Sequence, residues 1–217
     1  MKPRFDLSLY LVTDPAMTAP RGLLATVAAA VAGGATLVQL RDKDGPAGVL
    51  IEAARALKAF LAPRGIPLLV NDRVDVARAA GADGVHLGQG DAPPAAARAL
   101  LGPDAIVGWS ITAESQLTAI DAAVDYVGLG PIFPTGTMPD AAAALGEDRF
   151  AALRRRIRVP VVAIGGITAA NAARALAAGA DGVAVVSAIC AAADPRAAAH
   201  DLRAAIDAAL ASRARPR

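Results

Sequence analysis

The chain has one cysteine, Cys190. An intrachain disulfide and a cysteine-built metal site are therefore excluded, and a reducing compartment is expected. Cys190 sits among alanines, which suits a buried structural thiol better than a nucleophile. Charge is also sparse. Only 19% of residues are charged against 55% hydrophobic, and 22 Lys and Arg against 20 Asp and Glu leave a net charge of +2. That balance excludes disorder over most of the chain. The basic residues form no stripe, so a nucleic-acid partner is not expected. Arg154-Arg155-Arg156 reads as a solvated helix end, and the basic tail at about 212–217 as a frayed terminus. Long apolar runs are missing. Val27–Leu40 and Gly182–Ala193 fall short of the roughly 20 residues a membrane span needs, and each contains glycine or polar residues. The N-terminus lacks a signal-peptide pattern. A cytoplasmic protein without a membrane partner is expected, and homo-oligomerisation is compatible with the sequence.

Short runs rich in Val, Ile and Leu alternate with longer alanine-rich segments. The strand candidates are 8–13, 36–41, 67–71, 84–87, 105–110, 126–130, 160–164 and 182–186. Their near-continuous apolar character marks strands buried on both faces of a parallel sheet. The helix candidates are 20–32, 46–61, 74–80, 93–101, 113–123, 146–157, 169–178 and 195–213, with Pro20, Pro46, Pro93 and Pro195 suited to first turns. The junctions at Gly33-Gly34, Gly81 and Gly179 echo one another, each glycine suiting a left-handed helix end. Eight strand–helix pairs in 217 residues predict a single α/β domain over 1–217, a (β/α)8 TIM barrel. An open doubly wound sheet is the rival. It usually has a glycine-rich turn after the first strand, where this chain has Thr13-Asp14-Pro15.

A barrel carries its chemistry at the C-terminal strand ends. Gly165-Gly166 and Ser187 end the seventh and eighth predicted strands. Bare backbone N–H groups before a helix there suit a phosphate, although a glycine pair also makes an ordinary turn. Asp72 and Asp91 follow the third and fourth strands. They can share one Mg²⁺, which takes one or two carboxylates plus phosphate oxygens and water. Helix capping is the other reading. Gln39, Arg41 and Lys43 alternate at the end of the second strand and can face one ligand. Surface pairing with Asp42 and Asp44 is their alternative. A metal-assisted diphosphate site and a backbone-built monophosphate site would together suit an enzyme that joins two substrates and expels pyrophosphate. His86 reads as a packing or hydrogen-bonded residue rather than a base. Trp109 either lines a pocket or packs beneath Ser110.

Together these segments resemble the thiamine phosphate synthase (thiamine-phosphate pyrophosphorylase) family. The matching stretches are Val38-Gln39-Leu40-Arg41-Asp42-Lys43, Val70-Asn71-Asp72-Arg73-Val74-Asp75 and Gly84-Val85-His86-Leu87-Gly88-Gln89. Gly128-Leu129-Gly130-Pro131-Ile132-Phe133-Pro134-Thr135, Ala163-Ile164-Gly165-Gly166-Ile167 and Val185-Val186-Ser187 complete the set. Their order spans about Leu9 to Ile189. The resemblance implies a Mg²⁺-dependent transferase barrel. It would couple 4-amino-5-hydroxymethyl-2-methylpyrimidine diphosphate to a thiazole phosphate, releasing pyrophosphate. It implies Gln39, Arg41, Lys43, Asn71 and Ser110 at the pyrimidine diphosphate, with Arg41, Lys43 and Ser110 catalytic. It implies Asp72 and Asp91 on the metal, and Thr135, Thr137, Gly166, Val186 and Ser187 at the thiazole phosphate.

One position departs from the pattern. The family loop usually reads Thr-x-Thr-Lys, and here it reads Thr135-Gly136-Thr137-Met138. Met138 stands where a lysine would meet the diphosphate, which predicts a slowed synthase. Two alternatives follow from the resemblance. One is a thiazole tautomerase-like paralogue, which uses a histidine two residues after the strand-five serine, where this chain has Thr112. The other is a non-catalytic sensor of thiamine precursors, with Met138 a sign of decay.

Overall fold

The computed structural model describes residues 5–137 and 143–213. Eight parallel strands close in sequence order, β1 pairing with β8. The elements run β1 (Leu9–Val12), α1 (Pro15–Thr18), α2 (Leu23–Ala32), β2 (Leu37–Leu40), α3 (Ala47–Leu61), β3 (Leu68–Asn71), α4 (Val74–Ala80) and β4 (Gly84–Leu87). They continue α5 (Pro94–Leu101), β5 (Ile106–Ile111), β6 (Tyr126–Leu129), α6 (Gly146–Arg154), β7 (Val161–Ile164), α7 (Ala172–Ala177), β8 (Gly182–Val185), α8 (Ser187–Cys190) and α9 (Pro195–Arg213). The (β/α)8 barrel is as expected, and the open sheet is excluded by closure.

The apolar side chains form two layers. Leu37, Leu69, Ile106, Val162 and Ala184 fill the barrel interior around Tyr10 and Tyr126. Alternate strand residues face outward and pack under the helices. Glycine makes room inside. A Cβ on Gly108 would lie 2.2 Å from the Tyr126 ring, and one on Gly128 would lie 3.1 Å from His86 Cε1.

The repeated junctions have a mechanical meaning at the opposite end of the barrel. Asp83 donates its N–H to the Leu68 carbonyl, and its Oδ2 accepts the Leu68 N–H, both at 2.8 Å. Asp125 does the same to Val107, and Asp181 to Val161. Thr36 does it to Leu9 through its hydroxyl. Each clip ties the start of an even strand to the start of the strand before it. A helix cation closes each aspartate clip: Lys58 on Asp83 at 2.5 Å, Arg98 on Asp125 at 2.5 Å and Arg154 on Asp181 at 3.0 Å.

Several expectations change. Arg154 is not a solvated helix end, since it also donates to the Gly179 and Ile157 carbonyls. Arg156 pairs with Glu114. The helix expected over 113–123 is a 3₁₀ segment, Glu114–Ala119. Gln116 Oε1 accepts the N–H groups of Thr112 and Ala113 at 2.7 and 3.1 Å, tightening the turn. No residue of that segment is buried, so packing gives it no α-helical face. Pro20 lies in the turn before α2, and Pro46 and Pro93 are N-caps rather than first-turn residues. Pro195 does open α9. At the first glycine junction the left-handed residue is Gly34 (φ +111°), while Gly33 stays right-handed. Residues 214–217 of the basic tail lie outside the described residues.

Cys190 is buried, its thiol 3.7 Å from the Val12 carbonyl, and burial pushes it up to about 11. Trp109 packs in the outer layer, where its indole N–H is buried with no partner among the described residues. Alternation along β5 puts Ser110 on the other face.

Candidate active site

The polar strand ends meet around a cavity of about 690 Å³. Of the sequence candidates, Arg41, Lys43, Ser110, Thr135, Thr137, Gly166, Val186 and Ser187 line it. Gln39 is buried in the interior below, while Asn71, Asp72 and Asp91 sit on the neighbouring strand ends. Met138 lies outside the described residues.

Arg41 is held by residues the sequence reading passed over. Thr13 Oγ1 accepts the Arg41 N–H at 3.0 Å, and an Asp14 oxygen stands 3.6 Å from the guanidinium. The other Asp14 oxygen caps α1 by accepting the Met17 N–H at 3.1 Å. One carboxylate thus orients both a helix and a cation. The strand-end rule applied to β1 would have found it. Asp42 builds the following turn, accepting the N–H groups of Asp44 and Gly45 at 3.1 and 3.0 Å.

Asp72 has φ +59°, the one non-glycine residue in the left-handed region among those described. Aspartate tolerates that region better than most side chains. Its N–H donates to the His86 carbonyl at 2.9 Å, turning the side chain toward β4. There its carboxyl lies beside that of Asp91. Burial and the Asp91 charge push Asp72 up to about 6, against Lys43 and Asn71, which pull it down. Asp91 Oδ2 also accepts the Gly88 N–H at 2.7 Å. The capping reading fails, because the N-caps of α4 and α5 are Arg73 and Pro93, and neither helix has a side-chain cap. Two neighbouring carboxyl groups favour a proton or a cation between them, so this pair fits Mg²⁺. No group of three or more His, Cys, Asp or Glu that could hold a metal exists among the described residues. A magnesium site needs only one or two carboxylates.

Across the cavity the surface is backbone and hydroxyl. Gly165 (φ +95°) and Gly166 (φ +66°) follow β7. A Cβ on Gly165 would lie 2.3 Å from Pro131 Cβ, and one on Gly166 2.3 Å from the Pro134 carbonyl. Only glycine lets this turn press on the β6 loop. Thr137 Oγ1 meets Ser187 Oγ at 3.0 Å, and the Thr137 N–H donates to Thr135 Oγ1 at 3.2 Å. The expected helix contribution is smaller than anticipated, since α7 starts at Ala172 and α8 spans only Ser187–Cys190. An anion here would meet N–H and hydroxyl groups rather than a long helix N-terminus.

A hydrogen-bonded chain crosses the interior beneath the cavity. Gln39 Nε2 donates to Tyr10 Oη at 2.5 Å, and Tyr10 Oη meets Tyr126 Oη at 2.9 Å. Tyr126 Oη meets His86 Nδ1 at 2.8 Å, and His86 Nε2 meets Ser110 Oγ at 2.9 Å. The sequence reading missed both tyrosines. Their signal was an inward strand position, with Gly108 opposite Tyr126 and the small Ala184 opposite Tyr10. Dense protein around the imidazole pulls His86 down to about 4. The unfolded chain therefore gains a proton near pH 6.5, where the folded chain does not. Stability tied to His86 should be intact above that pH. It should fall by on the order of 2 kcal/mol as pH drops from 6.5 toward 4. Melting curves of wild type and His86→Gln over this range check it, and parallel curves would contradict it.

The family model described as thiamine monophosphate synthase matches residues 9–189. The chain belongs to this family. It is 58% identical over 204 residues to the thiamine-phosphate synthase of Azorhizobium caulinodans, covering 94% of this chain and 96% of that one. It is 59% identical over 210 residues to that of Xanthobacter autotrophicus, covering 96% and 100%. Among solved structures, the thiamine phosphate pyrophosphorylase of Pyrococcus furiosus matches with a TM-score of 0.85 and 36% identity, over 94% of this chain and 97% of that one. No helix among the described residues is long and apolar enough to cross a membrane.

Proposed function

We propose that this enzyme, a transferase by family, makes thiamine phosphate from a pyrimidine diphosphate and a thiazole phosphate. One observation carries the reading: a single cavity has two cations on one side and a glycine turn with hydroxyls on the other, and the Asp72–Asp91 pair follows the neighbouring strands. At the ends of β2 to β4 stand Arg41, Lys43 and the Asp72–Asp91 pair. At the ends of β6 to β8 stand the glycine turn and the Thr137–Ser187 hydroxyls. The first suits a diphosphate and the second a monophosphate.

The carbon–oxygen bond between the pyrimidine methylene and the diphosphate breaks, and both electrons leave with the oxygen. Arg41, oriented by Thr13 and Asp14, faces the charge that builds there, and Lys43 stands beside it. Ser110 and Asn71 offer hydrogen bonds on the same side, and Gln39 underlies them. Asp72 and Asp91 would hold Mg²⁺, which when bound neutralises diphosphate charge. The glycine and hydroxyl wall fixes the thiazole phosphate, so the thiazole nitrogen lone pair meets the methylene carbon and forms the new bond. The tautomerase reading is not favoured. Thr112 occupies its histidine position, and the Thr112 N–H is bound to Gln116. A cytoplasmic location goes with a single buried thiol and small charged substrates.

The test is product formation by purified protein with Mg²⁺ and after chelation. Thiamine phosphate and pyrophosphate in equal amounts, lost on chelation and restored by Mg²⁺, are expected. Binding of both substrates without product would favour the sensor reading. Met138→Lys should raise kcat more than it lowers KM, because a lysine there would meet charge that grows in the transition state. Equal turnover would remove position 138 from the mechanism.

A further inference from the structure

We propose that Tyr10, Tyr126 and His86 are positioning residues that keep the Ser110 hydroxyl proton pointed into the cavity, as a donor to the departing diphosphate oxygen. The Ser110 role rests on the synthase reading above. The direction of the chain follows from donor chemistry. The Gln39 amide nitrogen can only donate, so Tyr10 Oη accepts from it. The Tyr10 proton is then the one that bridges to Tyr126 Oη. Tyr126, having accepted, donates its own proton to His86 Nδ1. A neutral imidazole has one donor and one acceptor. With Nδ1 accepting, the hydrogen sits on Nε2 and is given to Ser110 Oγ. The serine oxygen is thereby satisfied as an acceptor, and its own proton is left over.

Ser110 lines the cavity, so that proton has the cavity to point to. The reverse polarity would place the Gln39 oxygen against Tyr10. It would also use the serine proton on His86, leaving only a lone pair toward an anionic leaving group, which is repulsive. Each link carries one proton in one direction, and such chains reinforce themselves in a dry interior. The packing holds the links in place. Tyr10 and Tyr126 meet edge to face with centroids 6.0 Å apart, and the His86 and Tyr126 centroids are 5.5 Å apart. Of Tyr10, Tyr126, His86 and Ser110, Ser110 alone lines the cavity.

The first test needs no variant and no substrate. Nitrogen-15 spectra of the imidazole in the resting protein should show His86 as the Nε2–H tautomer; the Nδ1–H tautomer would overturn the proposal. This readout is independent of turnover, so failure of the synthase reaction and failure of the chain direction are separate results. The second test is kinetic. Tyr126→Phe should lower kcat roughly tenfold, the worth of one ordinary hydrogen bond, with KM for both substrates unchanged. In a Ser110→Ala background the same change should cost nothing more. A loss that adds fully to that of Ser110→Ala would show a merely structural role and overturn the proposal.

Discussion

Asp72→Asn is expected to lower kcat on the order of 10³-fold while the barrel stays folded. Asparagine is nearly isosteric and is as much at home at φ +59° as aspartate. It keeps the backbone bond to His86 and can hydrogen-bond to Asp91. What it loses is the second negative charge, and with it the demand for a cation between the two groups. Steady-state kinetics should show the loss eased in part by high Mg²⁺, since one carboxylate remains. Thermal melts without metal should be unchanged or slightly raised, because a crowded pair of acids has been relieved. Full activity in the variant would show that the pair does not serve the reaction.

The largest effect on stability is expected at the other end of the molecule. Asp125→Ala should cost about 3–5 kcal/mol and lower Tm by about 10 °C. Asp125 and Arg98 are only 10% and 17% exposed, and they form a 2.5 Å ion pair. The same carboxylate oxygen accepts the Val107 N–H at 2.8 Å. Alanine would leave the Val107 N–H without that partner and the guanidinium with only carbonyls around it. Denaturant titration of Asp125→Ala against Asp125→Asn checks the assignment. Asparagine keeps an acceptor and should lose less, and equal losses would place the whole effect in the charge.

Much of this was legible in the residues, for physical reasons. Apolar runs such as Val161–Ile164 can only be strands buried on both faces. Eight of them alternating with alanine-rich segments favour a closed barrel over the open sheet, and the strands do close. Strand-end placement then found Arg41, Asp72 and Ser187 without reference to any relative. The repeated junctions were visible as glycines, but their aspartates were not read as clips, because a clip joins residues such as Asp181 and Val161 that only the barrel brings together. Segment 113–123 looked helical by composition, since Gln116's local bonds carry no periodic signature. The tyrosines escaped for a further reason. Inside a barrel an inward tyrosine and an inward leucine fill space alike, and only the register that sets Gly108 opposite Tyr126 shows which one carries a bonded hydroxyl.

The four clips at Thr36, Asp83, Asp125 and Asp181 leave the two rims of the barrel with separate duties. One rim holds the strands in register through side chains that never meet a ligand. The other places its reactive groups on strand ends whose alignment is already settled from below. Mutational scans of such a molecule should divide by rim. Changes at the reactive rim should alter rate and substrate choice with little effect on expression or melting. Changes at the clips should alter yield and half-life while leaving the turnover of each surviving molecule intact. A library meant to redirect the chemistry can therefore vary the reactive rim freely, provided those four positions are left alone.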